Sequence, residues 1–131
     1  HAYAEEQALA RLKQCLALAN LRVTTLNGFP QGNFHQPVVK HEVYTPTWAE
    51  KARLSYTASL AQILAGLLPE DQSQGTISTL PLGYQEGWSS LQHQKACRNL
   101  CLFAKKMATL ESSTGKHIRL CLEIKVSKYT K

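Results

Sequence analysis

Glu123 closes the run Ile118-Arg119-Leu120-Cys121-Leu122-Glu123, and Asn27-Gly28 closes a second apolar run at Leu26. Residues of these types at the ends of strands can bind and orient a ligand. The Glu123 oxygens suit a hard cation such as Mg²⁺ or Mn²⁺. The plainer reading is a solvated carboxylate or one paired with a lysine. Asn27 could orient a substrate hydroxyl or carbonyl, or only turn the chain with a positive φ. Gly28 and Gly32 would let a ligand approach the backbone, or only shape the loop. His35 could be a general base or a ligand, or a loop histidine bonded to backbone. His41 has no metal-motif spacing from it and is read as surface. Lys40 and Arg53 could contact an anion, arginine through its planar fork. For Arg53 the plain alternative is a solvated helix face. Phe29, Phe34 and Trp48 would wall a site or pack the loop down.

The elements that must position these residues follow from periodicity. Leu9, Leu12, Leu16 and Ala19 recur at helical spacing and predict a helix over 2–19, with Asn20 as its stop. The β-branched run over 21–26 predicts a strand. A long loop over 27–47 follows, the kind of connection that often carries function. Thr47 and Glu50 form a capping box for the next helix, with Thr45-Pro46 as the rival start. Its apolar face is Leu60, Ile63, Leu64, Leu67 and Leu68, and Pro69 ends it. A second strand is expected over 76–80. A third helix over 88–111 carries Leu100, Phe103, Ala104, Met107 and Leu110, with Gly115 as its cap, and a third strand runs over 118–123.

Helices that alternate with strands imply a parallel sheet with right-handed crossovers. The fold class is therefore α/β, with three parallel strands alternating with helices as a partial (β/α) TIM-barrel segment. A doubly wound open sheet is the alternative, and no GxGxxG follows any strand. Three strands cannot close a barrel, which typically takes about 250 residues. The expectation is one partial domain over 1–131, with open sheet edges that invite self-association.

Composition bounds the rest. The chain has 131 residues, 44% hydrophobic and 18% charged, as in a globular domain. No apolar run approaches the roughly 18 residues of a membrane span, and no signal-peptide pattern is seen. His1 in first place implies a processed product or a piece of something longer, and the expected location is cytoplasmic. Cys15, Cys97, Cys101 and Cys121 form no CxxC pair and are read as reduced, buried thiols. The net charge of +6 is scattered rather than striped, which argues against a nucleic-acid partner.

The segment Leu26-Asn27-Gly28-Phe29-Pro30-Gln31-Gly32, with Phe34-His35, Val39-Lys40, Val43-Tyr44, Pro46 and Trp48, resembles the EboE proteins. So do Arg53-Leu54, Tyr56-Thr57, the stretch from Leu60-Ala61 through Ile63-Leu64-Ala65 to Leu67-Leu68-Pro69, and Ile77-Ser78-Thr79-Leu80-Pro81-Leu82. The resemblance spans residues 21–123 and leaves 124–131 as a divergent tail. Gln31 stands where that family has tyrosine. Leu122-Glu123 runs into Ile124-Lys125-Val126 where the family continues its Leu-Glu-Pro-Glu-Pro motif, as a frameshift or truncation would produce. EboE proteins belong to the xylose-isomerase-like TIM-barrel superfamily and are linked to the traffic of bacterial secondary-metabolite precursors.

The resemblance implies a small-molecule metabolite or sugar phosphate as partner and a divalent metal (Mg²⁺, Mn²⁺ or Zn²⁺) on Glu123 in the intact family. Strand-end and loop position together with residue type give the expected site: His35 and Glu123 as catalytic residues, and Asn27, Gly28, Phe29, Lys40 and Arg53 as substrate contacts. Three functions follow as expectations. One is a metal-dependent sugar-phosphate isomerase or epimerase. Another is a binding protein that holds a metabolite without changing it. The third is a truncated product with no activity of its own.

Overall fold

The computed structural model describes residues 2–29 and 44–124. Their order is α1 (Ala2–Leu18), β1 (Thr25–Asn27), α2 (Lys51–Leu67), β2 (Gln74–Thr79), α3 (Ser90–Thr114) and β3 (His117–Leu122). The strands form one open sheet in the order β1-β2-β3, and both pairs are parallel. Sequential order and parallel pairing agree with the alternation read from the sequence. The helices α2 and α3 pack on each other, α2 lies against all three strands and α3 against β3, so both cover the same face.

The side chains sort by strand alternation. Gly75, Ile77 and Thr79 of β2 are buried, as is Ile118 of β3, while Leu26 and Leu120 pack against the core. The core joins them to Leu54, Ala61, Leu64 and Leu68 of α2 and to Ala96, Phe103 and Met107 of α3. The opposite face carries Thr25 and Asn27, Thr76 and Ser78, and Arg119 and Cys121 in matched rows. Parallel sheets are usually covered on both faces. Here, among the described residues, the second face is polar and open.

Local signals explain most element ends. Asn20 adopts φ 58°, and Leu21 N–H reaches Leu16 O at 2.8 Å while Asn20 N–H reaches Ala17 O, the paired bonds of a Schellman stop. Gly115 closes α3 at φ 74°. Ser89 and Gln92 form a full capping box at its start, two residues later than expected. Leu68 takes ψ 134° ahead of Pro69, as a residue before proline must.

Several expectations are corrected. Thr47 N–H does donate to Glu50 Oε2 at 2.7 Å, but Thr47 Oγ1 accepts from Ala49 N–H at 3.2 Å rather than from Glu50 N–H, so only half of the expected box is made. These bonds close a turn before the helix, and α2 begins only at Lys51. Strand β1 is three residues long, shorter than the expected 21–26, and pairs with Thr76–Ser78 of β2. Ile63 and Ala104 are exposed, whereas Arg53, Thr57 and Asn99 are buried. All four cysteines are exposed, not buried. Those of α3 lie on its flank beside the core stripe, and Cys121 lies on the open face. None of the described helices is long and apolar enough to cross a membrane.

Candidate functional site

Asn27 ends β1 at the carboxyl edge of the sheet. Its Oδ1 accepts from Phe29 N–H at 3.0 Å and from Ser78 Oγ at 3.3 Å, so the side chain turns the chain and ties it to β2. The turn needs no positive φ at Asn27, which corrects that part of the plain reading. Its NH₂ donors have no partner among the described residues. Thr25 and Thr76 form a second cross-strand link, with Oγ1 atoms 2.9 Å apart.

Gly28 donates to Ser78 O at 2.8 Å. A Cβ there would lie 3.0 Å from Leu60 Cδ1 and 3.2 Å from both Ile77 Cγ2 and Ser78 O. The missing side chain lets β1 close onto α2 and β2. Phe29 packs against the core and meets Tyr44 edge-on, ring centroids 5.5 Å apart.

Arg53 is fully buried, which overturns the solvated-face reading. Its Nε donates to Pro46 O at 2.7 Å, and Nη1 donates to Gly28 O at 2.8 Å and Phe29 O at 3.1 Å. One guanidinium therefore binds both ends of the loop that leaves β1 and returns before α2. Nη2 is buried with no partner among the described residues. The charge centre stands 5.6 Å from the Tyr56 ring centroid. Burial lowers the Arg53 pKa, and Tyr56 and Glu50 oppose that shift. Arginine starts so high that it stays charged at neutral pH.

Trp48 carries the same loop down onto the sheet. It is fully buried, donates Nε1–H to Thr79 Oγ1 at 3.2 Å, and meets Phe103 edge-on at 6.0 Å. Its carbonyl accepts from Asn99 Nδ2 at 2.8 Å, and its N–H reaches Leu82 O at 2.9 Å. Tyr44 and Tyr84 stand 5.4 Å apart. The loops after β1 and β2 are thus joined to each other and to α3.

Glu123 lies one residue beyond β3 and is exposed. Its N–H donates to Thr79 O at 2.9 Å, so the ladder continues through it. It borders an open groove of about 610 Å³ with Pro81, Leu82, Trp88, His93 and Leu122. Register sets Asn27, Ser78 and Cys121 in one row, with Glu123 one alternation further along. Ser78, Cys121 and His93 were not singled out as site residues from the sequence. Strict alternation in β2 and β3 carried the signal for the first two once the register is known. His35, Lys40, Gly32, Phe34 and His41 lie outside the described residues.

Asn27, Ser78, Cys121 and Glu123 supply one amide, one hydroxyl, one thiol and one carboxylate, and the His93 imidazole borders the same groove as Glu123. No group of three His, Cys, Asp or Glu side chains converges among the described residues. A hard divalent cation takes several oxygen ligands, so Glu123 with Asn27 and Ser78 makes only part of such a set.

No family model matches the chain, and no curated protein or solved structure matches it either.

Proposed function

We propose that the chain is an arc of an EboE-like, xylose-isomerase-like TIM barrel that holds a small polar metabolite, a polyol or sugar phosphate, in the cytoplasm. The observation that carries this reading is the row Asn27, Ser78 and Cys121, with Glu123 beyond it, at the carboxyl end of a polar sheet face. In (β/α) barrels that end carries the site, and the inward face of the strands is the one opposite the helices. Sequential parallel strands with both crossover helices on one side support the same reading. The motif residues quoted from 26 to 82 add the resemblance.

The role we assign is binding and orientation. Asn27 offers amide donors, Ser78 a hydroxyl, and Glu123 an acceptor for ligand hydroxyls. The isomerase chemistry that the resemblance implies needs a complete ligand set, which the described residues do not make, so no step is routed through a metal here. Arg53 is not a ligand contact in this scheme. Its fork holds the loop.

Titration of ¹⁵N-labelled chain with sorbitol, glucose 6-phosphate and inorganic phosphate in parallel tests the proposal. Amide shifts confined to Asn27, Ser78 and Cys121–Glu123 with the sugar phosphate are expected, and Asn27→Ala should weaken them. Saturating ligand with no shift at these amides would sink it.

A further inference from the structure

Helices α2 and α3 pack side by side, and the seam between them carries cations without acids. Lys51–Leu67 contains no Asp or Glu, and the single acid of α3, Glu111, bonds to His117 on the β3 side. Lys51, Lys95, Arg98, Lys105 and Lys106 are all exposed and have no carboxylate partner among the described residues. Stable solvated helices often pair opposite charges three and four residues apart, and like charges at those spacings repel. Lys95 and Arg98 are such a repelling pair.

The cations share a shaped surface. Lys95, Arg98, Leu102, Lys105, Thr109 and Ser113 follow one another at helical spacing, a ridge roughly 27 Å long at the rise of an α-helix. A groove of about 520 Å³ separates this ridge from Ala58 and Gln62 of α2. Its floor is apolar, with Met107 buried and Leu110 half-buried, and Leu102 on its rim is 38% exposed.

We propose that this seam docks an acidic amphipathic helix of a partner protein. A helix laid in the groove seats apolar side chains, spaced three and four residues apart, over Met107 and Leu110. Carboxylates on its flanks then meet Lys105 and Lys106 at one end and Lys95 and Arg98 at the other, which supplies the missing charge. A bilayer fits less well, because the apolar atoms lie in a recess and an interfacial face must project them. A nucleic acid fits less well, because the ridge has no aromatic side chain to stack a base. A second copy of the chain would bring its own net charge of +6 to a basic surface.

Both helices of the seam are in place, and its rims at Gln62, Leu102 and Lys105 are exposed. In a (β/α) barrel the helix after β3 packs on the other flank of α3, at Leu100, Ala104 and Ala108. The inference does not rest on the proposed metabolite site.

The probe is a fluorescein-labelled peptide of about 20 residues, long enough to form a helix, with leucine along one stripe and glutamate on both flanks. Its counterpart carries lysine in place of glutamate. The full chain is expected to bind the glutamate peptide and not the lysine one, with amide shifts confined to α2 and α3. Lys105→Glu with Lys106→Glu should weaken binding roughly tenfold or more. The same charge change on α1, Arg11→Glu with Lys13→Glu, should weaken it less than about twofold. Leu102→Ser should weaken it roughly fivefold, an effect that charge alone does not produce. These side chains are exposed, so all three variants should melt as the parent does. Failure to bind the glutamate peptide, or equal loss from the α1 reversal, would overturn the proposal. So would a seam that takes phosphatidylserine vesicles or oligouridylate more tightly than the peptide.

Discussion

At the carboxyl end of the sheet, Arg53, Trp48, Thr79 and Asn99 are buried and bonded to one another's backbone or to the loops. At the amino end the ion pairs are exposed and the Lys116 bonds only partly buried. Arg22 and Asp71 form a 2.8 Å ion pair with both side chains more than half exposed. Glu111 pairs with His117 Nδ1 at 2.8 Å, also exposed. Lys116 Nζ donates to Pro69 O at 3.0 Å and Gln72 O at 2.8 Å. Both ends do the same geometric task, holding loops against strand ends. Buried polar groups must be satisfied or they cost stability, so they fix one arrangement. Exposed pairs have water as a ready substitute and fix little. The proposed binding end has the first kind of anchoring, and a site is only as well placed as the loops that carry it.

The contrast can be broken or sharpened by substitution, with urea denaturation as the readout. Arg53→Ala should cost the most, about 3–5 kcal/mol, because it leaves the carbonyls of Gly28, Phe29 and Pro46 without their donor. Arg53→Lys should recover only part of this, since one ammonium lacks the fork that reaches both loop ends. Loss of less than about 1 kcal/mol for Arg53→Ala would show that the loop ends do not depend on it. Asn99→Leu should cost about 1–3 kcal/mol by orphaning the buried Trp48 carbonyl. Gly115→Ala should cost about 1 kcal/mol, the strain of a Cβ at φ 74°. At the amino end, Arg22→Ala should cost under about 0.5 kcal/mol and even that should vanish at high salt. A cost equal to that of Asn99→Leu would erase the distinction between the ends. Last, an aromatic disulfide reagent should modify all four cysteines in the folded chain without shifting its melt, since each is exposed.

The parts of the fold legible in the sequence were those set by neighbours along the chain. Helical spacing found three helices, Asn20 and Gly115 marked two helix ends, and Pro69 limited a third. Alternation found the third strand and, through helix-strand order, the parallel sheet. Of the candidate site residues, the strand-end locations of Asn27 and Glu123 were legible. The misreadings share a cause. Arg53 looks like an ordinary helix-surface charge until the carbonyls of residues 24 and 25 positions away are brought to it. Cys97 and Cys101 sit in an apolar-looking stretch, but α3 turns its stripe of Ala96, Asn99, Phe103 and Met107 inward and leaves them beside it. Glu50 reaches back to Thr47 N–H as in a capping box, but the Thr47 hydroxyl takes Ala49 N–H instead, and the turn closes before the helix begins.

By itself the sequence determined the alternation of elements, their hydrophobic faces and their local stops, because these depend on residues within a turn or two of each other. Only the tertiary structure decided which polar residues share a row and which end of the sheet is anchored by buried groups. Those outcomes depend on register between strands about 50 residues apart and on the burial of single charges, neither of which local spacing encodes.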